Sequence, residues 1–519
     1  MPFNSVFGWI IKKRIHQIEL FKKYPMEVQQ ELLRSLVDQA AMTRFGVEHN
    51  FPNIHSVAEF KRAVPIRNYE AFLPYIDSLR EGQQNVLWPS KLKWFAKSSG
   101  TTDARSKFIP VSSEALEECH YKGGKDLLAM YMDQRPNAKI YNGKTLVVGG
   151  SSRVNTFSDD GYTGDLSAII IRNLPIWVEL RRTPSKEIAL LDNWEEKIER
   201  MAESTSLEDV STLVGVPSWT MLLLKRIMEL RGAETIFDVW PNLELYMHGG
   251  VSFKPYRAEF EKIAPGNQLN YVETYNASEG FFGIQDRIGA DDLLLMLDYG
   301  IYYEFMPMSE YGKPHPRTLE LQDVEVGENY AIVISTNAGL WRYLVGDTVR
   351  FTSKVPYRIQ ITGRTRHYIN AFGEEVMVDN ADCAIEAACK ATGATIADYT
   401  VAPQYMRQGA SGHHQWLIEF IQEPSIHSVF AKVLDDTLRA INSDYDAKRT
   451  NDYILSAPDV MVAPKGTYYN WLKRANKLGG QNKVPRLSNE RQYMEELLAL
   501  IADDVQAFAC VEGQSFLHK

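Results

Sequence analysis

The sequence predicts an α/β protein: a large N-terminal domain with mainly parallel sheets plus a β-subdomain, and a smaller C-terminal α+β domain. Three observations lead there. Short apolar runs alternate with helical periodicity between residues 145 and 263, the pattern of strands joined by crossover helices. The stretch from Leu294 to Ile334 is richer in strands and turns. Past residue 375, helical segments and strand-like pieces alternate again in a shorter stretch. A chain of 519 residues has room for two to four folding units at roughly 100–200 residues each.

Taken in order, residues 14–44 place Ile15, Ile18, Leu20, Phe21, Tyr24, Val28, Leu32 and Leu36 at spacings near three and four, so they read as helical, broken or restarted at Pro25. Ser56 with Glu59 predicts a capping box at the start of another helix. Val86-Leu87-Trp88-Pro89 and Trp94-Phe95-Ala96 lead into a polar turn from Lys97 to Asp103. Thr145–Val148, Leu166–Ile171, Leu243–Met247 and Ala331–Ser335 are the expected strands, with helices over 194–203, 219–231 and 256–263. A strand over Tyr357–Ile361 runs into Gly363-Arg364, the candidate hinge. The expected domains are 1–363 and 375–519, joined by a hinge over 364–374. The second should hold helices at 379–391, 424–441 and 488–508 and strands at 398–402, 415–421 and 458–463.

Composition removes several function classes. The net charge is −9, from 66 acidic and 57 basic residues that intermingle, so no basic stripe offers itself to nucleic acid. Cys119, Cys383, Cys389 and Cys510 form no CxxC pair, which argues against a disulfide framework or a structural zinc and fits a reducing, cytoplasmic setting. The longest apolar runs, such as Leu293–Leu297, fall far short of the ~20 residues of a membrane span. Val6–Ile11 precedes a basic cluster instead of following one, so no export signal is expected. A monomer is the default expectation.

Three short segments could carry chemistry. Ser98-Ser99-Gly100-Thr101-Thr102, followed by Lys107 and Pro110, brings hydroxyls, a glycine and a cation together, the means to cradle phosphate oxygens. By itself such a turn is more often only a turn. It is not a Walker A loop; the Gly143-Lys144-Thr145 triplet fails because residue 138 is alanine. The second segment, Glu273-Thr274-Tyr275-Asn276-Ala277-Ser278-Glu279-Gly280, offers a ring for a purine face, hydroxyls for phosphate and a carboxylate for Mg²⁺ on phosphate oxygens; a plain polar loop is the competing reading. The third, Trp341-Arg342-Tyr343-Leu344-Val345-Gly346-Asp347, ends in an acid able to accept from both ribose hydroxyls, though Gly-Asp is a common turn pair. His413-His414 reads as surface, and His248 either points into a pocket or is a satisfied core histidine. No GxSxG elbow is present; Gly409-Ala410-Ser411-Gly412 lacks the spacing.

In this order, the three segments resemble the Gretchen Hagen-type (auxin-responsive promoter) family of acyl acid amido synthetases, in the superfamily that includes acyl-CoA synthetases, luciferases and peptide-synthetase adenylation domains. Gly466-Thr467-Tyr468 and Gln481-Asn482-Lys483-Val484-Pro485-Arg486 extend the likeness almost to the end of the chain. Ala104 and Leu344 depart from the usual plant pattern, so plant substrate preferences do not carry over.

The resemblance implies ATP and Mg²⁺ as cofactors and a carboxylic acid and an amine, such as an amino acid, as partners. The acid would attack the α-phosphorus of ATP in a cleft between the two domains and release pyrophosphate, a task of positioning and charge neutralisation. It implies Ser98 to Thr102 and Lys107 on the phosphates, with Thr274 and Ser278 beside them, and Gly249-Gly250-Val251 with Tyr275 at adenine. Asp347 falls to the ribose, Arg364 joins the ATP- and AMP-binding residues, and Glu279 and Lys483 fall to catalysis, with Glu279 also the Mg²⁺ ligand. The small domain would then pivot so that an amine meets the acyl-adenylate. A thioester-forming ligase using coenzyme A or a carrier thiol shares the first half-reaction, and a non-catalytic nucleotide- or acyl-acid-binding protein is the alternative of another class.

Overall fold

The computed structural model describes residues 2–98, 107–149, 155–158, 161–191, 193–250, 253, 256–365, 368–406, 411–474 and 485–502. They divide into two compact units, one over 2–98 and 107–365, the other from 368 onward.

The large unit opens with helices Pro2–Lys23 and Pro25–Ala40, separated at Tyr24 because Pro25 occupies the first turn of the second helix. Arg14 pins the first helix in place with paired bonds to Asp126 and Asp298 of 2.6–3.0 Å. Ser56 caps helix Val57–Ala63 by accepting from the Glu59 amide, but the Glu59 carboxylate reaches back to the His55 amide, one residue before the cap.

In chain order the strands of this unit are β1 (Trp94–Ser98), β2 (Lys107–Val111), β3 (Lys144–Val148), β4 (Asn155–Ser158), β5 (Gly161–Gly164), β6 (Arg182–Thr183), β7 (Val210–Gly215), β8 (Leu245–Gly249), β9 (Asn270–Ala277), β10 (Gly280–Ile284), β11 (Leu293–Leu295), β12 (Ile301–Pro307), β13 (Asn329–Thr336), β14 (Tyr343–Lys354) and β15 (Tyr357–Arg364). An 11-stranded sheet takes the order β12-β13-β14-β15-β11-β10-β9-β8-β7-β3-β6. Its β6-β3-β7-β8-β9 half is parallel, and helices Trp194–Thr205, Pro217–Arg231 and Arg257–Ile263 supply the crossovers. From β9 to β12 every pairing is antiparallel. The β-rich stretch expected from Leu294 therefore continues the main sheet across the β9–β10 hairpin. A separate sheet takes the order β2-β1-β5-β4.

Leu166–Ile171 is a correction: this segment is the helix Leu166–Arg172, not a strand. Its β-branched run suggested a strand, but β5, just before it, already fills the place beside β1. The chain instead turns a helical face of Ala168, Ile169 and Ile171 into the interior, so tertiary packing overrides intrinsic preference. The core of the unit gathers around Trp341, whose ring lies 4.8–6.4 Å from those of Phe45, Phe51, Phe60 and Trp88.

The second unit has a short ribbon, β16 (Tyr368–Ile369) with β17 (Val376–Met377), and a sheet of β18 (Thr395–Gln404), β19 (His413–Gln422) and β20 (Asp459–Ala463). One face of that sheet meets helices Val378–Thr392 and His427–Ile441, through Tyr399–Asp382 and Phe420–Phe430. The other gathers Leu417, Tyr468, Trp471, Met494, Leu497 and Leu500, the last three on a helix over 492–502. Residues 503–508 of the helix expected over 488–508 lie outside the described residues.

Candidate active site

The parallel strands β7 and β8 end on glycines, and the carboxyl ends of parallel strands are where open α/β sheets bind ligands. Gly249 pairs with Thr274 of β9, and a side chain at 249 would sit 2.5 Å from the Thr274 carbonyl, so only glycine fits between these strands. The Thr274 hydroxyl donates to the His248 carbonyl at 3.1 Å, which ties the second motif to the Gly249-Gly250 turn. Val251 lies outside the described residues.

The second motif is strand rather than loop. Glu273 to Ala277 belong to β9, Gly280 opens β10, and Ser278 and Glu279 form the turn between them. This hairpin sets Glu279 at its tip, half-buried, with the Tyr343 hydroxyl 3.5 Å from one carboxylate oxygen. Tyr275 also reaches β14. Its hydroxyl donates to Asp347 at 2.7 Å, a charge-assisted bond between side chains 72 positions apart.

Asp347 gets its position from an irregularity in β14. Ala331 and Val333 of β13 face Thr348 and Leu344, so β14 spends extra residues across this span and bulges. Gly346, with φ of 98°, absorbs the bulge, and its carbonyl accepts from the Thr365 amide at 2.7 Å. Asp347 then faces Arg364 across the β14–β15 ladder and lies buried.

Arg342, just upstream, carries no role predicted from the sequence. It is buried with φ of 46°, and every guanidinium N–H is spoken for. Two of its nitrogens reach Glu304 at 2.9 Å, and the remaining N–H groups meet the Lys61 and Val64 carbonyls and the Thr318 hydroxyl. The available signal was a pair of opposite charges inside otherwise apolar runs, Glu304 in Ile301–Met306 and Arg342 in Leu340–Val345. Arg67 bonds to both sides of Tyr343, through the Arg342 carbonyl and the Leu344 amide, and so links β14 to the helix Tyr69–Arg80.

That helix brings in the first motif. Lys107 opens β2 directly opposite Ser98 and is buried, its ammonium 5.9 Å from the centre of the Tyr69 ring. The Tyr69 oxygen accepts from the Phe108 amide at 2.8 Å, and burial pushes its hydroxyl pKa up to about 12. One turn on, Phe72 packs edge-on to Tyr343, the neighbour of Glu279. Ser98 thus ends a strand of this hairpin, while Ser99, Gly100, Thr101 and Thr102 lie outside the described residues.

Both His248 and His414 are buried. His248 stacks on Phe253 at 4.1 Å beside Tyr246, on the side of β8 that holds the Phe253–Phe260–Tyr271 cluster. Among the described residues its Nδ1 has no hydrogen-bond partner, and burial lowers its pKa to about 3. His414 corrects the surface reading: it is buried against Glu374 at 2.8 Å, because β19 turns it into the interior. His120, to which the sequence assigns no role, lies buried in a π-helical turn, Leu116–Tyr121, with its pKa lowered to about 4 by desolvation.

In the second unit, Glu419 accepts from the Gly466 and Tyr468 amides and so caps helix Thr467–Arg474. Arg486 binds Asp382 at 2.6 Å, and its carbonyl accepts from the Val401 amide. Lys483 lies outside the described residues. Among the described residues no three His, Cys, Asp or Glu side chains cluster as a metal site, and no helix is long and apolar enough to cross a membrane.

Comparison with known proteins adds three matches to one family: the GH3 family N-terminal domain over residues 14–269, its central domain over 294–364 and its C-terminal domain over 379–492. An indole-3-acetic acid-amido synthetase of Arabidopsis thaliana is 23% identical, over 91% of this chain and 90% of its own. A jasmonoyl–L-amino acid synthetase of Nicotiana attenuata is 22% identical, over 91% and 92%. Among solved structures, the GH3.15 acyl acid amido synthetase superposes with a TM-score of 0.60 at 18% identity, covering 94% of this chain and 95% of that one. A 2-hydroxyisobutyryl-CoA ligase in its thioesterification state gives 0.55 at 14%, covering 93% and 92%.

Proposed function

Because the chain belongs to the GH3 family, we propose that it is an ATP-dependent acyl acid amido synthetase. It couples a carboxylic acid to AMP, releases pyrophosphate and passes the acyl group to an amine, in the first instance an amino acid. One observation supports this most directly. The second and third motifs, distant in sequence, meet through Tyr275–Asp347 and Glu279–Tyr343 beside the Gly249 turn.

In this reading the backbone of Gly249-Gly250-Val251 borders adenine, with Arg364 and Asp347 on the nucleoside side, and Asp347 accepts from the ribose hydroxyls. Ser98, Ser99, Gly100, Thr101, Thr102 and Lys107 hold phosphate, joined by Thr274 and Ser278. Lys107 suits this role because it is buried at the mouth of the hairpin, where its charge is poorly screened. A single carboxylate, Glu279, fits Mg²⁺ brought in on ATP, since that ion commonly takes one or two carboxylates and completes its shell with phosphates and water. Bound there, the ion would neutralise phosphate oxygens while the acid approaches. Residues 1–363 act as the adenylation domain, 364–374 as a hinge and 375–519 as the mobile domain that contributes the catalytic Lys483.

The test is pyrophosphate release from Mg-ATP over a panel of aromatic and aliphatic acids, run alone, with pooled amino acids and with coenzyme A. Acid-dependent release accelerated by an amino acid is the expected result. Acceleration by coenzyme A instead would favour thioester formation, the reading to which the likeness in fold to a CoA ligase lends support. Asp347→Ala and Glu279→Ala should each lower acyl-adenylate formation by at least about 100-fold. Near-normal turnover in either variant would remove that residue from the site.

A further inference from the structure

Resting on the adenylation reading, we infer that Tyr275 is a positioning residue that acts through Asp347 and fixes the carboxylate that reads the ribose. The tyrosine belongs to β9 and the aspartate to β14, strands separated in the sheet by β10, β11 and β15, so the 2.7 Å bond is a tie across the sheet and not part of a ladder. Both side chains are buried, at 5% and 7% exposure. The phenol ring stands edge-on to Phe282 at 4.8 Å, which fixes where its hydroxyl ends.

The bulge at Gly346 sets the backbone of Asp347, and the plane of its carboxylate is set separately, about the side-chain torsions, by the groups that donate to it. A carboxylate offers about four acceptor positions, so one phenolic O–H can lock its plane and still leave lone pairs for two ribose hydroxyls. A ring whose hydroxyl is held this way serves the ribose end of the nucleotide whether or not its face also touches adenine.

The test compares binding of ATP, 2′-deoxyATP and 3′-deoxyATP to the wild type, Tyr275→Phe, Asp347→Asn and the double variant, by equilibrium dialysis on the full chain. Phenylalanine keeps the ring, so a stacking role predicts no change, whereas a positioning role predicts loss of the ribose preference. The wild type should prefer ATP over either deoxy form by about 10-fold or more, the scale of a hydrogen bond to a charged group. Tyr275→Phe should reduce that preference several-fold while binding the deoxy forms as before, and the double variant should lose no more than Asp347→Asn alone. A Tyr275→Phe protein that keeps the full preference, or that weakens all three nucleotides equally, overturns the inference. A wild type indifferent to the deoxy forms overturns it together with the ribose role of Asp347. Intact preference in the wild type with no acid-dependent pyrophosphate release overturns the synthetase reading alone.

Discussion

His248 and His120 carry the clearest consequence at the scale of single residues. Both are buried imidazoles whose folded pKa lies below the ordinary value near 6.5, at about 3 and about 4, because burial disfavours the charged form. The unfolded chain therefore binds more protons than the folded one below pH 6.5. Their contribution to stability is complete above that pH and is lost as the pH falls toward the folded values. For His248 alone the loss at pH 5 amounts to about 2 kcal/mol. His248→Phe replaces a ring stacked on Phe253 whose Nδ1 has no partner among the described residues, so it should be neutral or stabilising at pH 7.5. Urea unfolding at pH 7.5 and pH 5.0 checks this: the variant should lose about 2 kcal/mol less than the wild type between the two conditions. Equal losses would show that His248 is not the titrating group. Burial of this kind is invisible in the sequence, where His248-Gly249-Gly250 reads equally well as a pocket edge.

At the scale of elements, the bulge in β14 matters most, because one backbone irregularity aims Asp347. Among the described residues the nearest neighbour of a methyl group at 346 would be the Thr365 hydroxyl at 4.0 Å, so the constraint there is conformational rather than steric crowding. Gly346→Ala should cost about 1–2 kcal/mol of stability and raise the KM for ATP several-fold by shifting the bulge. Unchanged ATP kinetics in a correctly folded Gly346→Ala protein would mean that the bulge does not position the aspartate. The Gly-Asp pair was legible in the sequence and the bulge was not, since a bulge depends on the partner strand β13. The helix Leu166–Arg172 shows the same limit from the other side: three consecutive isoleucines favour a strand locally, and only the presence of β5 beside β1 turns them into a covering helix.

Over the whole molecule, each unit has a core of its own, around Trp341 in one and on the two faces of the β18-β19-β20 sheet in the other. Unfolding followed by calorimetry should accordingly show two transitions. Leu434→Ala, which removes a fully buried side chain from helix His427–Ile441, should cost about 2–5 kcal/mol in one transition and leave the other in place. A single transition that moves as a whole would show one cooperative unit. The sequence by itself determined the alternation of strands and helices, the restart at Pro25 and the residue types of the three motifs, because periodicity and side-chain chemistry are local properties. It also carried the family likeness, since the motifs stand in order along almost the entire chain. Only the tertiary structure decided that the parallel and antiparallel strands form one sheet, that Arg342 closes on Glu304, and that Tyr275 reaches Asp347. Those partners lie 38 and 72 positions apart, and strand order, which no local pattern encodes, is what brings them within a hydrogen bond.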